Sequence, residues 1–137
     1  MYLLDTNIVN RLRYSDTTVM RRLAPVADFV FVSTLTAEEI LVQGYSAEIN
    51  KIRSGKSRAD LERTNADFSD AIVSLSVFWL LPYTREAEAM HRTFRTAKLK
   101  GMDGRIAAHA LALGFILVTD NIADFALPGL TVVDWTR

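Results

Sequence analysis

No cysteine occurs anywhere in the 137 residues. Disulfides, thiolate zinc sites and cysteine nucleophiles are therefore excluded. Histidine is nearly as scarce: His91 and His109 are the only two, too few for a zinc site built on imidazole. Any metal would have to be held by oxygen, which favours Mg²⁺ or Mn²⁺. No apolar run approaches the roughly 18 uninterrupted residues that a membrane span needs, so no membrane association is expected. The first residues carry neither a basic leader segment nor a cleavage site, and a cytoplasmic location is expected. An excess of one charge is missing too, because sixteen basic residues balance sixteen acidic ones. Overall charge thus points neither toward nor away from a nucleic-acid partner.

What is present is a half-apolar chain, long enough for one domain with a real core and short for two. No linker, internal repeat or low-complexity segment interrupts it, so residues 1–137 are expected to form a single domain. Apolar runs predict strands at 2–5, 28–33, 76–81 and 115–119, with a short edge strand at 131–133. Thr6 or Asn7 is expected to cap the helix after the first strand. Thr36, with Glu39 three residues on, makes a capping-box pattern for the next helix. Residues 46–71 read as a helical hairpin with its loop near Ser54–Ser57, and Thr84 caps a further helix. Gly101 breaks the chain before Asp103. Ile106, Ala107, Ala110, Leu111 and Leu113 then form a short apolar helix that Gly114 stops. Strands alternating with helices predict an α/β domain: a central, mostly parallel sheet of four or five strands flanked by helices.

Two segments repeat one pattern. Leu3-Leu4-Asp5-Thr6-Asn7 and Leu117-Val118-Thr119-Asp120-Asn121 are both apolar strands that stop at Asp, Thr and Asn. In an open α/β sheet, ligands bind at the carboxyl ends of the strands. Asp5 follows the first strand, and Glu39 lies a turn into the helix after the second. Asp103 opens the helix leading into the fourth strand, and Asp120, Asn121 and Asp124 follow that strand. Such positions converge on one edge, where clustered carboxylates repel one another unless a divalent cation neutralises them. Taken singly, Asp103 reads equally as a partner of the helix dipole and Glu39 as the capping-box acid. Asp5, at the end of an apolar strand, is harder to explain as structure. Around Asp103 lie Arg92, Arg95, Lys98, Lys100 and Arg105, and Lys51, Arg53, Lys56, Arg58 and Arg63 form a second basic stretch. Each reads either as a solvated helix face or as a rim for a phosphate backbone.

These segments resemble the PIN-domain ribonucleases, and most closely the VapC-type toxins of bacterial type II toxin–antitoxin modules. The resemblance rests on Leu3-Leu4-Asp5-Thr6-Asn7, on Ser33-Thr34-Leu35-Thr36-Ala37-Glu38-Glu39-Ile40, on Asp103-Gly104-Arg105-Ile106-Ala107-Ala108-His109-Ala110 and on Leu117 through Phe125. It runs in register from the first residue to Val133-Asp134-Trp135. It implies a PIN-like fold and a Mg²⁺- or Mn²⁺-dependent ribonuclease that hydrolyses RNA phosphodiester bonds. Asp5 and Asp103 would be the principal metal ligands and Glu39 the third acid. Where many relatives carry a fourth acid, this chain has Asn121, with Asp120 one position early and Asp124 just before Phe125. Which of the three completes the site, and whether it takes one ion or two, stays open. Thr6 and Asn7 would orient the first turn, Thr119 would bond to the metal shell, and Arg95, Lys98, Lys100 and Arg105 would hold RNA. His109 reads as a structural or solvent-facing histidine.

The resemblance also implies a homodimer and a cognate antitoxin that docks near Ile40, Leu41, Tyr45 and Ile49, residues that read equally as core. The alternative is a catalytically degraded PIN-like module that binds RNA or protein, supported by Asn121. A phosphatase of the haloacid-dehalogenase type would need a second Asp where Asn7 stands. A receiver domain would need an early acid pair and a late Lys, and neither is present.

Overall fold

Runs in which neighbouring residues are all apolar have no face to offer water, and the chain buries them inside a sheet. The computed structural model describes residues 1–137 and contains five strands: β1 (Tyr2–Leu4), β2 (Val30–Ser33), β3 (Trp79–Leu81), β4 (Ile116–Val118) and β5 (Val132–Val133). All neighbours are parallel, in the order β3-β2-β1-β4-β5. Leu4 pairs with Val32 on one side and Val118 on the other. The chain builds outward from β1 to β3, then returns to lay β4 on the opposite side of β1. That reversal makes the β1–β4 crevice the switch point of the sheet.

The helices are α1 (Thr6–Arg13), α2 (Thr17–Leu23), α3 (Thr34–Glu38), α4 (Ala47–Arg53), α5 (Leu61–Ser76), α6 (Arg85–His91) and α7 (Met102–Leu113). Successive strand residues point to opposite faces, and this splits the core in two. Leu4 packs with Ile8, Val9, Val19, Ala71 and Leu75 from α1, α2 and α5. Leu3, next to it, packs with Ile106, Ala107 and Ala110 of α7 and with Phe125. Gly114 ends α7 at a positive φ of 67°, as a helix-stopping glycine should. No helix is long and apolar enough to cross a membrane.

Several elements differ from the sequence reading. Asp5 itself caps α1, in place of Thr6 or Asn7. Ser33, not Thr36, caps α3, and Thr36 is fully buried inside that helix. Glu39 is thereby released from any capping box. It opens a π-helical stretch, Glu39–Ser46, that joins α3 to α4. The third strand starts only at Trp79, because α5 continues to Ser76 with Ala71 and Leu75 four apart on its core side. The second strand starts at Val30, after a 3-10 turn over Ala24–Phe29. The apolar residues expected to receive a partner are core instead. Ile40 and Ile49 are buried, Leu41 packs against the same core, and Tyr45 stacks on Phe68 at 5.9 Å.

Candidate metal centre

Asp5 is 3% exposed, and both carboxylate oxygens are held. Oδ1 accepts the Thr6 N–H at 2.6 Å and Oδ2 accepts the Thr119 hydroxyl at 2.8 Å. Thr119 follows β4, so this second bond crosses the switch point and fixes the acid there. Burial pushes the Asp5 pKa up to about 6, with Asp103 and Glu39 adding to the rise and the two hydrogen bonds opposing it. Glu39 is half-buried and accepts the Thr6 hydroxyl at 3.0 Å. Its pKa is also raised, first by burial and then by Asp103. Asp103 sits at the rim, in the first turn of α7, raised by partial burial and by Asp124. Asp103 on α7 thus acts on both Asp5 after β1 and Glu39 at the α3 junction, and Glu39 acts on Asp5. Asn7, beside this turn, donates to Asp120 at 3.4 Å.

No arginine or lysine pairs with any of the three; the ion pairs of the molecule use Asp16, Glu88, Asp120, Asp124 and Asp134. An uncompensated carboxylate cluster at a sheet's switch point fits a hard divalent cation. No three of the acids stand close enough to grip one ion directly. Mg²⁺ keeps several waters and needs only one or two carboxylates, so the donor set suits it on those terms.

The fourth position is divided among three residues. Asp120 is held by Arg11, whose Nε and Nη2 both lie 3.1 Å from Oδ2. Asp124 accepts Lys98 at 2.6 Å and the Asn121 side-chain amide. Those two bonds keep its pKa low. The Asn121 backbone N–H donates to Thr119 Oγ1 at 3.1 Å, which ties it to the group that holds Asp5. Of the four basic residues expected to meet RNA, Arg95, Lys100 and Arg105 line one open cleft with Arg92 and Phe94, and Lys98 is turned toward Asp124.

Three further residues matter that the sequence reading passed over. Arg11 claims Asp120, Ser33 anchors the Glu39 helix, and Gly104 lets α7 approach the Leu99 backbone, where a Cβ would overlap the carbonyl. A glycine directly after a candidate ligand was the one available signal.

The family model for the PIN domain matches residues 2–126. The chain belongs to the PIN-domain family. The sequence resemblance and its α/β PIN fold are thus borne out. This PIN domain is similar to a chain of DNA-bound VapBC from Salmonella typhimurium, at 26% identity and a TM-score of 0.72, covering 98% of this chain and 97% of that one. It is also similar to VapBC2 from Rickettsia felis bound to a promoter DNA fragment (24% identity, TM-score 0.72, 98% of both chains). FitAcB from Neisseria gonorrhoeae gives 22% identity and a TM-score of 0.75, again over 98% of both chains. Comparison with curated proteins finds no match.

Proposed function

We propose that this PIN domain is a Mg²⁺- or Mn²⁺-dependent ribonuclease that works as the toxin of a toxin–antitoxin pair. The observation that carries the reading is Asp5: a buried carboxylate raised to about pKa 6 by burial and two neighbouring acids, with no cation of the chain's own to relieve it. The likeness to VapBC and FitAcB chains supports the toxin assignment. Asp5, Glu39 and Asp103 would hold the ion partly through its waters, since no three of the acids reach one ion directly. When bound, it supplies a lowered pKa for the attacking water and charge stabilisation for the leaving oxygen.

The chain's own residues orient and bind. Thr119 and the Thr6 N–H fix both oxygens of Asp5, and the Thr6 hydroxyl steadies Glu39. Arg95, Lys100 and Arg105 hold phosphates of the RNA backbone, which positions the strand without reading its sequence. A cytoplasmic antitoxin and a second copy of the chain are the expected partners.

Cleavage of total cellular RNA by the purified protein tests this, with Mg²⁺ or EDTA and beside Asp5→Asn and Asp103→Asn. Cutting that needs the metal and disappears in both variants is the expected result. RNA binding without cutting, unchanged by either substitution, would favour the degraded module and point to Asn121.

A further inference from the structure

His109 is wholly buried in α7, six residues after Asp103. Its Nδ1 lies 3.0 Å from Ser33 Oγ, and Ser33 Oγ also accepts the Leu35 N–H at 3.1 Å as the cap of α3. The Pro82 carbonyl interacts weakly with the ring, and Ser33 is its one well-formed hydrogen-bond partner. Burial holds the imidazole pKa below its ordinary value, which keeps the ring neutral at neutral pH. A ring protonated on Nε2 accepts the Ser33 hydroxyl proton at Nδ1, while the Ser33 oxygen still accepts the Leu35 N–H. Tyr83 closes the other side edge-on, with centroids 5.5 Å apart, and its N–H donates to Thr34 at 3.1 Å.

Burying a polar ring with at most a weak bond to one nitrogen is costly, and a leucine would fill the same space without that cost. The arrangement asks for a reason beyond packing. The three acids supply one. Asp5 is held by Thr119 and Thr6, and Glu39 by Thr6. The Asp103 carboxylate makes no hydrogen bond of its own, so its place depends on where α7 sits. From α7 the side-chain hydrogen bonds to the rest of the molecule are Arg105 to Glu88 and His109 to Ser33. Only the second reaches the helix that leads to Glu39.

We propose that His109 is a positioning residue that sets the separation of Asp103 and Glu39 by locking α7 to the cap of α3. Asp103 stands six residues from His109 along α7, about 9 Å of axial rise, and Glu39 stands six residues from Ser33, directly after the short α3 that Ser33 caps. The inference rests on the reading of Asp5, Glu39 and Asp103 as the metal-holding acids, and it assigns His109 no contact with substrate.

The test compares His109→Leu, His109→Asn and Ser33→Ala. An asparagine amide reaches the place of Nδ1 and can either donate to or accept from Ser33. Mn²⁺ alone is titrated into each protein by calorimetry, and RNA cleavage is resolved into kcat and KM. His109→Leu and Ser33→Ala are expected to weaken Mn²⁺ binding and lower kcat about 10–100-fold, with KM unchanged, as lost support behind a metal site does. His109→Asn is expected to restore most of both, and the Leu/Ala double variant to be no worse than either single one. Spin labels on Val42→Cys and Ala112→Cys, both exposed in a chain without cysteine, read the helix separation directly. The distance is expected to be narrow in the parent and in His109→Asn, and broad or shifted in His109→Leu.

Folded Leu and Asn variants with equal kcat, Mn²⁺ affinity and label distance would overturn the proposal. A parent protein that neither binds Mn²⁺ nor cuts RNA would instead overturn the reading of the acidic site, while the label distances would still decide the role of His109.

Discussion

Asp5 does the most with the least exposure. Its pKa of about 6 lies above the unbound value of 3.8, so the folded state prefers it protonated. The fold is therefore free of this penalty below about pH 4 and loses stability as pH rises through 6, by about 3 kcal/mol once Asp5 is fully ionised. Glu39 and Asp103 shift in the same direction. Asp5→Asn is accordingly expected to melt higher than the parent at about pH 8, with the gap closing near pH 4. Mg²⁺ should raise the melting temperature of the parent at the higher pH and leave Asp5→Asn nearly unmoved. Thermal melts across that range check both statements, and a parent that is most stable when fully ionised would contradict them. Asp5 was legible in the sequence because an acid ending an apolar strand is anomalous by itself. Its bond to Thr119, expected only as a contact with a metal shell, turned out to reach the carboxylate directly.

Among the elements, α7 is placed by what it lacks. Gly104 has no Cβ, and the turn at Leu99 comes so close that any Cβ would overlap its carbonyl. Leu99 is itself fixed, since its carbonyl accepts the buried His91 ring at 2.9 Å and its side chain lies in the core beneath α7. Gly104→Ala must therefore push α7 outward and carry Asp103 with it. A loss of about 1–3 kcal/mol in stability is expected, together with weaker cleavage, read by denaturant melts and the RNA assay. Unchanged activity would mean that the position of Asp103 is not critical.

The element most misread from sequence is the α5–β3 border. Val77-Phe78-Trp79-Leu80-Leu81 is an apolar run rich in strand formers, and such short runs do not declare where a helix stops. Burial of Ala71 and Leu75 carries the helix to Ser76 and delays the strand. The Thr36 capping box failed for a related reason. Ser33 offered a cap three residues earlier, at the very end of β2, and the helix begins where the first suitable oxygen appears.

For the whole molecule, a net charge of zero conceals a sharp division. At the switch point Asp5, Glu39 and Asp103 have no cation paired to them, and the cleft beside α6 carries Arg92, Arg95, Lys100 and Arg105 around a single acid, Glu88. Arg105 joins this cleft to the acids, two residues after Asp103 on α7. A phosphate held there would be a neighbour of the scissile one. Arg95→Ala with Lys100→Ala, placed in an Asp5→Asn background that leaves RNA intact, is expected to weaken binding for all sequences alike. The slope of log affinity against log salt should fall by about 0.7 for each phosphate contact removed. Unaltered affinity and slope would place the RNA elsewhere.

The order of strands and helices, the oxygen-only donor set and the three candidate acids could all be read along the chain. Each follows from residue type and short-range spacing, which act before anything folds. Packing alone decided the rest. Arg11 takes Asp120 from 109 positions away, His109 meets Ser33 across 76, and Ile40 and Ile49 turn inward as core. Such pairings depend on how helices settle against the two faces of a five-stranded sheet, and no local pattern encodes that geometry.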